Sequence, residues 1–163
     1  MNFGSAGSVL FLCLVAYAAL GCDQQSSPRA GASSRPSGLP TTKMNLGGKT
    51  FTIEIARTDK TREHGLMDRD SMPADHGMIF VFKDEQPRAF WMRNTRIPLD
   101  IVFVKSDGEI VSVHSMKPFD LSSTRSAGPA KYAIELNEGV ATAQNLKPGD
   151  KLEIPADARD AED

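Results

Sequence analysis

The sequence predicts a mainly β domain, either a single antiparallel β-sandwich or a partly open barrel, with one or two short helices. Three observations support this class. Apolar and polar residues alternate in several short runs, Gly- and Pro-containing turns separate those runs, and helical periodicity is confined to short stretches. Short strands joined by tight turns are typical of antiparallel sandwiches and barrels. The 163 residues suffice for one domain of this kind.

The first 22 residues have the pattern of a bacterial lipoprotein signal peptide. An uncharged apolar core at residues 9–20 is shorter than a membrane-spanning helix, and small residues then lead into Cys22. Cleavage before Cys22 discards Cys13 and leaves one cysteine, whose acylation removes a reactive thiol from an oxidising compartment. The sequence therefore predicts a signal peptide at 1–21 and a lipid anchor at Cys22 in the bacterial cell envelope, on the periplasmic side. The alternatives are an ordinary secretory peptide and a short membrane anchor.

Three further segments follow. Residues 22–43 are rich in Ser, Pro, Gly, Gln and Thr and bury too little apolar surface to offset chain entropy, so they are predicted to form a disordered tether. The composition changes at Met44, and residues 44–156 are predicted to form the β-rich domain. Residues 157–163 are charged and are expected to fray.

The domain itself is predicted to begin with two strands around a short helix. Residues 50–56 alternate like a half-buried strand, with Glu54 on the outer face. Residues 58–64 suit a helix with a Thr cap and a Gly stop. Residues 78–82 are apolar on both faces, as in a central strand.

The second half of the domain is predicted to consist of short strands and turns. The predicted elements are a turn at 83–88, a short strand at 89–92, a strand at 100–105, a hairpin turn at 106–108 leading into a strand at 109–116, a long loop at 117–130, a strand at 131–136, a helical turn at 140–146 and a closing strand at 151–154.

Several phrases of this domain match a known family. They are GLMDR at 65–69, GMIFVF at 77–82, FWMRNTRIPLDI at 90–101 and GPAKYAIE at 128–135, with MKP at 116–118 and GD at 149–150. Together they resemble the domain-of-unknown-function family 192. The resemblance implies a compact β-rich fold that is often exported or lipid-anchored. It implies no established activity and no catalytic residue, so candidate sites must come from the residues themselves.

The first candidate site is a set of polar residues placed among apolar ones. Asp100 opens an apolar strand and Glu135 alternates with apolar neighbours, so each carboxylate needs a partner. Pro98 favours a rigid loop at 93–99. We predict that six residues lie close together, either as a structural network or as a pocket for a sugar or another polar ligand. They are Arg69, Trp91, Arg93, Asn94, Asp100 and Glu135.

Two other chemistries compete with this interpretation. Asp100 and Glu135 are candidates for the acid/base pair of a hydrolase, with His64, His76 or His114 as helper, although hydrolase motifs such as Gly-x-Ser-x-Gly are absent from the sequence. Thioethers and an imidazole can also bind Cu(I), whereas scattered methionines more often fill a core. The candidate copper ligands are Met67, Met72, Met78, Met92, Met116 and His114.

Charge excludes one class of function. The net charge of −2, a pI near 5.9 and the interspersed signs argue against nucleic-acid binding, which needs clustered cations. The sequence favours a non-catalytic envelope lipoprotein that binds a small polar ligand or an envelope partner. A hydrolase is the first alternative and a Cu(I)-binding protein is the second. No cofactor and no metal is expected for the favoured function.

Overall fold

The structure, a computed structural model, describes residues 37–162. The predicted signal peptide, Cys22 and most of the predicted tether lie outside these residues. The strands are β1 (Thr41–Leu46), β2 (Lys49–Ala56), β3 (His76–Phe90), β4 (Leu99–Val104), β5 (Ile110–Met116) and β6 (Thr124–Asn137). The helices are α1 (Asp59–His64), α2 (Val140–Ala143) and a 3₁₀ turn, Ala156–Ala158.

The six strands form one open sheet in the order β1-β2-β3-β6-β4-β5. The predicted class, mainly β with two short helices, is confirmed. Strands β2 and β3 are parallel, and the other described neighbours are antiparallel. The parallel pair arises because the chain crosses back over the sheet through α1 and residues 65–75, instead of turning directly as in a hairpin.

Helix α1 begins and ends where the sequence predicted. The Thr58 hydroxyl accepts a hydrogen bond from the Thr61 amide at 3.2 Å, and the Thr61 hydroxyl accepts one from the Thr58 amide at 3.0 Å. This reciprocal cap satisfies two amides that the first turn cannot pair internally. Gly65 then ends the helix with a positive φ of 49°.

Strands β3 and β6 are much longer than predicted. The turn predicted at 83–88 lies within β3, and residues 124–130 of the loop predicted at 117–130 belong to β6, so both predictions are wrong there. The pairing is irregular between Val81 and Gln86, and Pro87 faces Pro129. Proline cannot donate to a ladder, so these stretches have the composition of turns. Here the two prolines face each other at an irregular point of one continuous strand pair.

The two long strands bend sharply at this irregularity. Phe80 and Phe90 both belong to β3, and ten residues of straight strand would span about 33 Å. Their ring centroids are only 5.0 Å apart, and Phe90 also packs 5.7 Å from the ring of Phe103. The distal half of β3 therefore folds back over the face of the sheet that carries Phe80.

Both ends of the domain differ from the sequence prediction. Strand β1 begins at Thr41, inside the predicted tether, and joins β2 through Gly47 and Gly48, whose positive φ values suit a tight hairpin turn. At the other end the predicted closing strand is reduced to one bridge between Glu109 and Lys151.

The C-terminal segment, for which the sequence predicted fraying, is held through Glu162. Its carboxylate pairs with Arg57 at 2.9 Å, and its amide donates to the Arg57 carbonyl at 3.0 Å. Ala158 in the preceding 3₁₀ turn is fully buried.

The sheet carries an apolar cluster on each face. The α2 face includes Ile79, Val102, Ile134 and Ala141 of α2. The α1 face includes Phe80, Ile101 and Phe103, together with Leu66 and Met72 from the segment after α1. Among residues 37–162, no helix has the length and apolar character needed to cross a membrane.

Candidate functional site

A cleft of about 420 Å³ opens on the α1 face. One wall is α1 with the turn that follows it, and the other is the folded-back half of β3 with Trp91. Its lining includes Phe80, Phe82, Phe90 and the carboxyl-bearing Glu135. Charged side chains from α1 and β3 line the cleft together with these aromatic rings, and a concave site of this size can hold a small molecule.

Glu135 lies at the base of this cleft with little contact with solvent. It sits on β6 opposite Met78 of β3 and Ile101 of β4, so its side chain projects from the α1 face. The residue is 5% exposed, and burial raises the pKa of its carboxyl to about 8, with Arg69 opposing only part of the shift. No hydrogen bond from residues 37–162 reaches this carboxyl. Glu135 is therefore mostly neutral at pH 7.

Arg69 is bound to a second buried carboxylate, Glu54 of β2. Its two terminal nitrogens donate to the two oxygens of Glu54 at 2.6 and 2.8 Å, and the Ser37 hydroxyl also donates to Glu54. Burial alone would raise the pKa of Glu54, but the hydrogen bonds from Arg69 and Ser37 and the charge of Arg69 outweigh it and lower the pKa.

The burial of Glu54 corrects the prediction that its side chain lies on the outer face of the strand. Glu54 is 8% exposed. The alternation in residues 50–56 is real, but Arg69 and Leu66, in the segment that follows α1, lie over that face of the sheet. A covered polar residue requires a partner, and Arg69 provides it.

Two arginines flank the ring of Phe82 in the cleft wall. The guanidinium carbons of Arg62 and Arg88 lie 5.2 and 3.9 Å from the ring centroid. Arg62 donates to two backbone carbonyls and to the Asp59 carboxylate at 2.6 Å. Arg88 donates to two backbone carbonyls and to the Asp84 carboxylate at 2.7 Å. Both arginines therefore stabilise the wall through bonds within the fold.

The loop after β3 places Trp91 at the cleft and two further predicted residues beside it. Trp91 is 46% exposed, and the guanidinium of Arg93 lies 4.3 Å from its ring centroid. Asn94 is exposed with a φ of 56°, and its carbonyl accepts a hydrogen bond from the Asp68 amide at 2.9 Å. Arg93 and Asn94 thus adjoin the site without lining the cleft.

The prediction that Asp100 shares this cluster is wrong. In the sheet, Asp100 pairs with Leu136 and Ile101 pairs with Glu135, so the two carboxyl groups project from opposite faces. The Asp100 carboxylate accepts hydrogen bonds from the Ser115 hydroxyl at 2.7 Å and from the Ala141 amide at 2.9 Å, which attaches α2 to the other face. Asp100 and Glu135 cannot form the acid/base pair of a hydrolase.

The three histidines are also separated. His64 lines the cleft, whereas His76 bonds to its neighbour Asp75 at 2.9 Å. His114 packs 6.0 Å from the ring of Phe103, and its buried Nε2 has no hydrogen-bond partner within the described part of the chain.

Most of the methionines considered as copper ligands belong to the core. Four of them lie in the apolar cluster of the α1 face, and Met67 lines the cleft. The four are Met72, Met78, Met92 and Met116. Between Ser37 and Glu162 there is no group of three or more His, Cys, Asp or Glu side chains suited to hold a metal ion.

The fold and the site together define a small, mainly β domain with a ligand-sized cleft between a bent sheet and a covering helix. The profile of domain-of-unknown-function family 192 (DUF192), described as "Uncharacterized ACR", matches residues 42–154. The chain belongs to this family, as its motifs predicted. No curated protein matches the chain at a significant level.

Two solved structures resemble the domain. A candidate transcription regulator from Sinorhizobium meliloti 1021 is 40% identical, with a TM-score of 0.62, over 68% of this chain and 89% of its own. A protein of unknown function from Novosphingobium aromaticivorans DSM 12444 is 36% identical, with a TM-score of 0.68, over 77% of this chain and 94% of its own.

Proposed function

We propose that this protein is a lipid-anchored envelope module that binds a small organic molecule in the cleft on the α1 face. The carboxyl of Glu135 is the main support for this proposal. Buried polar groups in folded proteins nearly always have a hydrogen-bond partner. The Glu135 carboxyl has no hydrogen bond from residues 37–162 and lines a cleft of about 420 Å³, so its available partner is water or a ligand in the cleft.

Binding is better supported than catalysis. General acid/base hydrolysis by two carboxyl groups needs both of them to flank the reacting bond. Glu135 lies in the cleft, but Asp100 projects from the opposite face of the sheet. The nearby guanidinium of Arg69 is held by Glu54. An envelope protein as partner, the other expectation from the sequence, stays a prediction.

The Sinorhizobium protein is described as a candidate transcription regulator. We do not propose that role for this chain, because its charges do not favour DNA binding. DNA binding draws most of its affinity from clustered cations. The chain has a net charge of −2, and the two arginines of the cleft wall are paired with Asp59 and Asp84.

The cleft can be tested by NMR with a fragment library and the mature chain in detergent micelles. We expect fragments to shift the Trp91 indole resonance and the amides of residues 64–67 and 88–91. The Ala89→Trp variant should abolish these shifts because Ala89 lines the cleft and a large ring there fills it. Ala143→Trp is the matched control, since Ala143 is exposed on α2. Equal fragment binding by both variants would contradict the proposal.

The anchor can be tested by replacing each of the two cysteines. Cys22→Ser should prevent acylation and either accumulate the precursor or release the protein from the membrane fraction. Cys13→Ser should leave acylation and membrane association unchanged, because Cys13 lies in the segment expected to be removed. Fractionation and labelling with an alkyne fatty acid measure both outcomes. Normal processing and membrane association of the Cys22→Ser variant would rule out the lipid anchor.

A further inference from the structure

Three phenylalanine rings of the cleft pack edge to face, with Phe90 in the middle. Phe90 meets Phe80 at 84° and Phe82 at 86°, with centroids 5.0 and 6.4 Å away. Aromatic faces carry partial negative charge and attract cations. Phe82 and Trp91 already have guanidinium groups beside their rings. Phe80 is buried, so the half-buried Phe90 is the phenylalanine ring that remains for a ligand.

The charged groups of the cleft point to the same ligand chemistry. Arg62 and Arg88 have their carboxylate partners at 2.6 and 2.7 Å and direct further N–H groups to backbone carbonyls. Their charges are therefore largely compensated within the fold. The acidic groups beyond these pairs are Glu63 on α1 and Glu135 at the base. An ammonium group can pair with the ionised form of Glu135, whereas an anion would meet guanidinium groups that already have carboxylate partners.

From this arrangement we infer that the cleft binds an organic cation, most simply a primary amine, whose ammonium group pairs with Glu135 beside Phe90. This inference rests on the proposed binding function and specifies its ligand class. A buried ammonium group needs both a countercharge and hydrogen-bond acceptors. The Glu135 carboxyl supplies the charge and the acceptors, and the rings supply a surface that excludes water.

Binding of an amine must release a proton. The pKa of Glu135 is raised to about 8, so the carboxyl carries its proton at pH 7. When an ammonium ion enters, the carboxyl O–H proton leaves to solvent, and a carboxylate–ammonium pair forms without any other bond change. The affinity should therefore rise about tenfold per pH unit below pH 8 and level off above it.

Other charged groups lie at or near the cleft. The experiment must separate their contribution to the pH dependence of binding from that of Glu135. The charge of Arg69, which lies in the segment after α1 and is held by Glu54, acts on Glu135, and Arg88 of β3 lines the cleft. Helix α1 contributes Asp59, Arg62, Glu63 and His64. His64→Gln is the matched control, because His64 is the histidine that lines the cleft.

Three probes of matched size test the inference in calorimetric titrations of the mature chain: 2-phenylethylamine, phenylacetate and 2-phenylethanol. Only the amine should bind, with close to one proton released at pH 7 and about tenfold weaker binding at pH 6 than at pH 7. Heats measured in two buffers of different ionisation enthalpy give the proton count. Glu135→Gln should lose the proton release and at least tenfold in affinity, whereas His64→Gln should keep the pH dependence.

The outcomes separate this inference from the proposed function. Preferential binding of phenylacetate or 2-phenylethanol in the cleft would overturn the cation inference and leave the binding function standing. Amine binding that persists in Glu135→Gln, without proton release from the wild type, would overturn the role of Glu135. If none of the three probes binds while library fragments do, the cation inference fails and the proposed binding function stands. If the library also finds no ligand, both fail.

Discussion

Replacing Glu135 by Gln is expected to remove most of the pH dependence of stability between about pH 5 and pH 8. Burial raises the pKa of Glu135 from its ordinary value of 4.5 to about 8 in the folded protein. The folded state therefore keeps a proton that the unfolded chain has lost. Stability is highest below the unfolded pKa and falls as pH rises, by at most about 1.4 kcal/mol per pH unit and roughly 3–5 kcal/mol in all.

Chemical denaturation at a series of pH values measures this effect. The wild-type midpoint should fall steadily from about pH 5 to pH 8, and the Glu135→Gln midpoint should stay nearly constant. Glu63→Gln is the matched control, because Glu63 is an exposed glutamate at the same cleft. Glu54 acts in the opposite sense, since its lowered pKa makes its contribution fall away only as pH drops below about 4.5. A wild-type midpoint that did not change with pH would show that Glu135 has the same pKa in the folded and unfolded states, and it would contradict this prediction.

Replacing Arg69 by Met should destabilise the domain by about 3–5 kcal/mol. The change leaves the buried Glu54 carboxylate without its two charge-assisted hydrogen bonds, in a pair whose side chains are only 11% and 10% exposed. The same change removes the positive charge that opposes the raised pKa of Glu135. The double variant Arg69→Met, Glu54→Gln should recover much of the loss, because it removes the unpaired charge.

Arg96→Met provides the comparison within the same part of the fold. Arg96 pairs with Asp70 at 2.7 Å, but its side chain is 47% exposed, so its loss should cost much less than the loss of Arg69. Guanidinium chloride denaturation of the three variants at pH 7 tests the difference. The interpretation of Arg69 fails if its replacement costs no more than that of Arg96.

The elements that the sequence predicted well are those with a local cause. Residues 50–56 and 100–105 alternate or remain apolar over a whole strand, and β2 and β4 lie there. The cap at Thr58 and the stop at Gly65 bound α1. Pro98 restricts the conformation before β4, where the structure has the predicted loop. Each of these patterns is complete within a few residues.

The elements that the sequence missed depend on distant partners. Residues 83–88 have the composition of a turn, but they belong to β3, which continues past them because residues 86–90 pair with residues 124–130. Whether Asp100 and Glu135 share a face depends on the register between β4 and β6, in which one residue of slip exchanges the faces. Pairing across more than thirty residues leaves no local pattern. Of the six predicted residues, Trp91 and Glu135 line the cleft, the charge of Arg69 acts on Glu135, and Arg93 and Asn94 adjoin the site, whereas Asp100 projects from the other face.

The hairpin at the start of the domain also determines how the fold responds to force. Thr41 and Glu54 form its open end, and the turn at Gly47 and Gly48 closes the other. A force applied to the chain before Ser37 therefore separates β1 from β2 one hydrogen-bonded residue pair at a time. This geometry makes the edge strand mechanically weak. The first contact under load is the hydrogen bond from Ser37 to Glu54, the carboxylate that holds Arg69. Tension on the N-terminal segment would reach the charged groups beside the cleft before it reached the centre of the sheet.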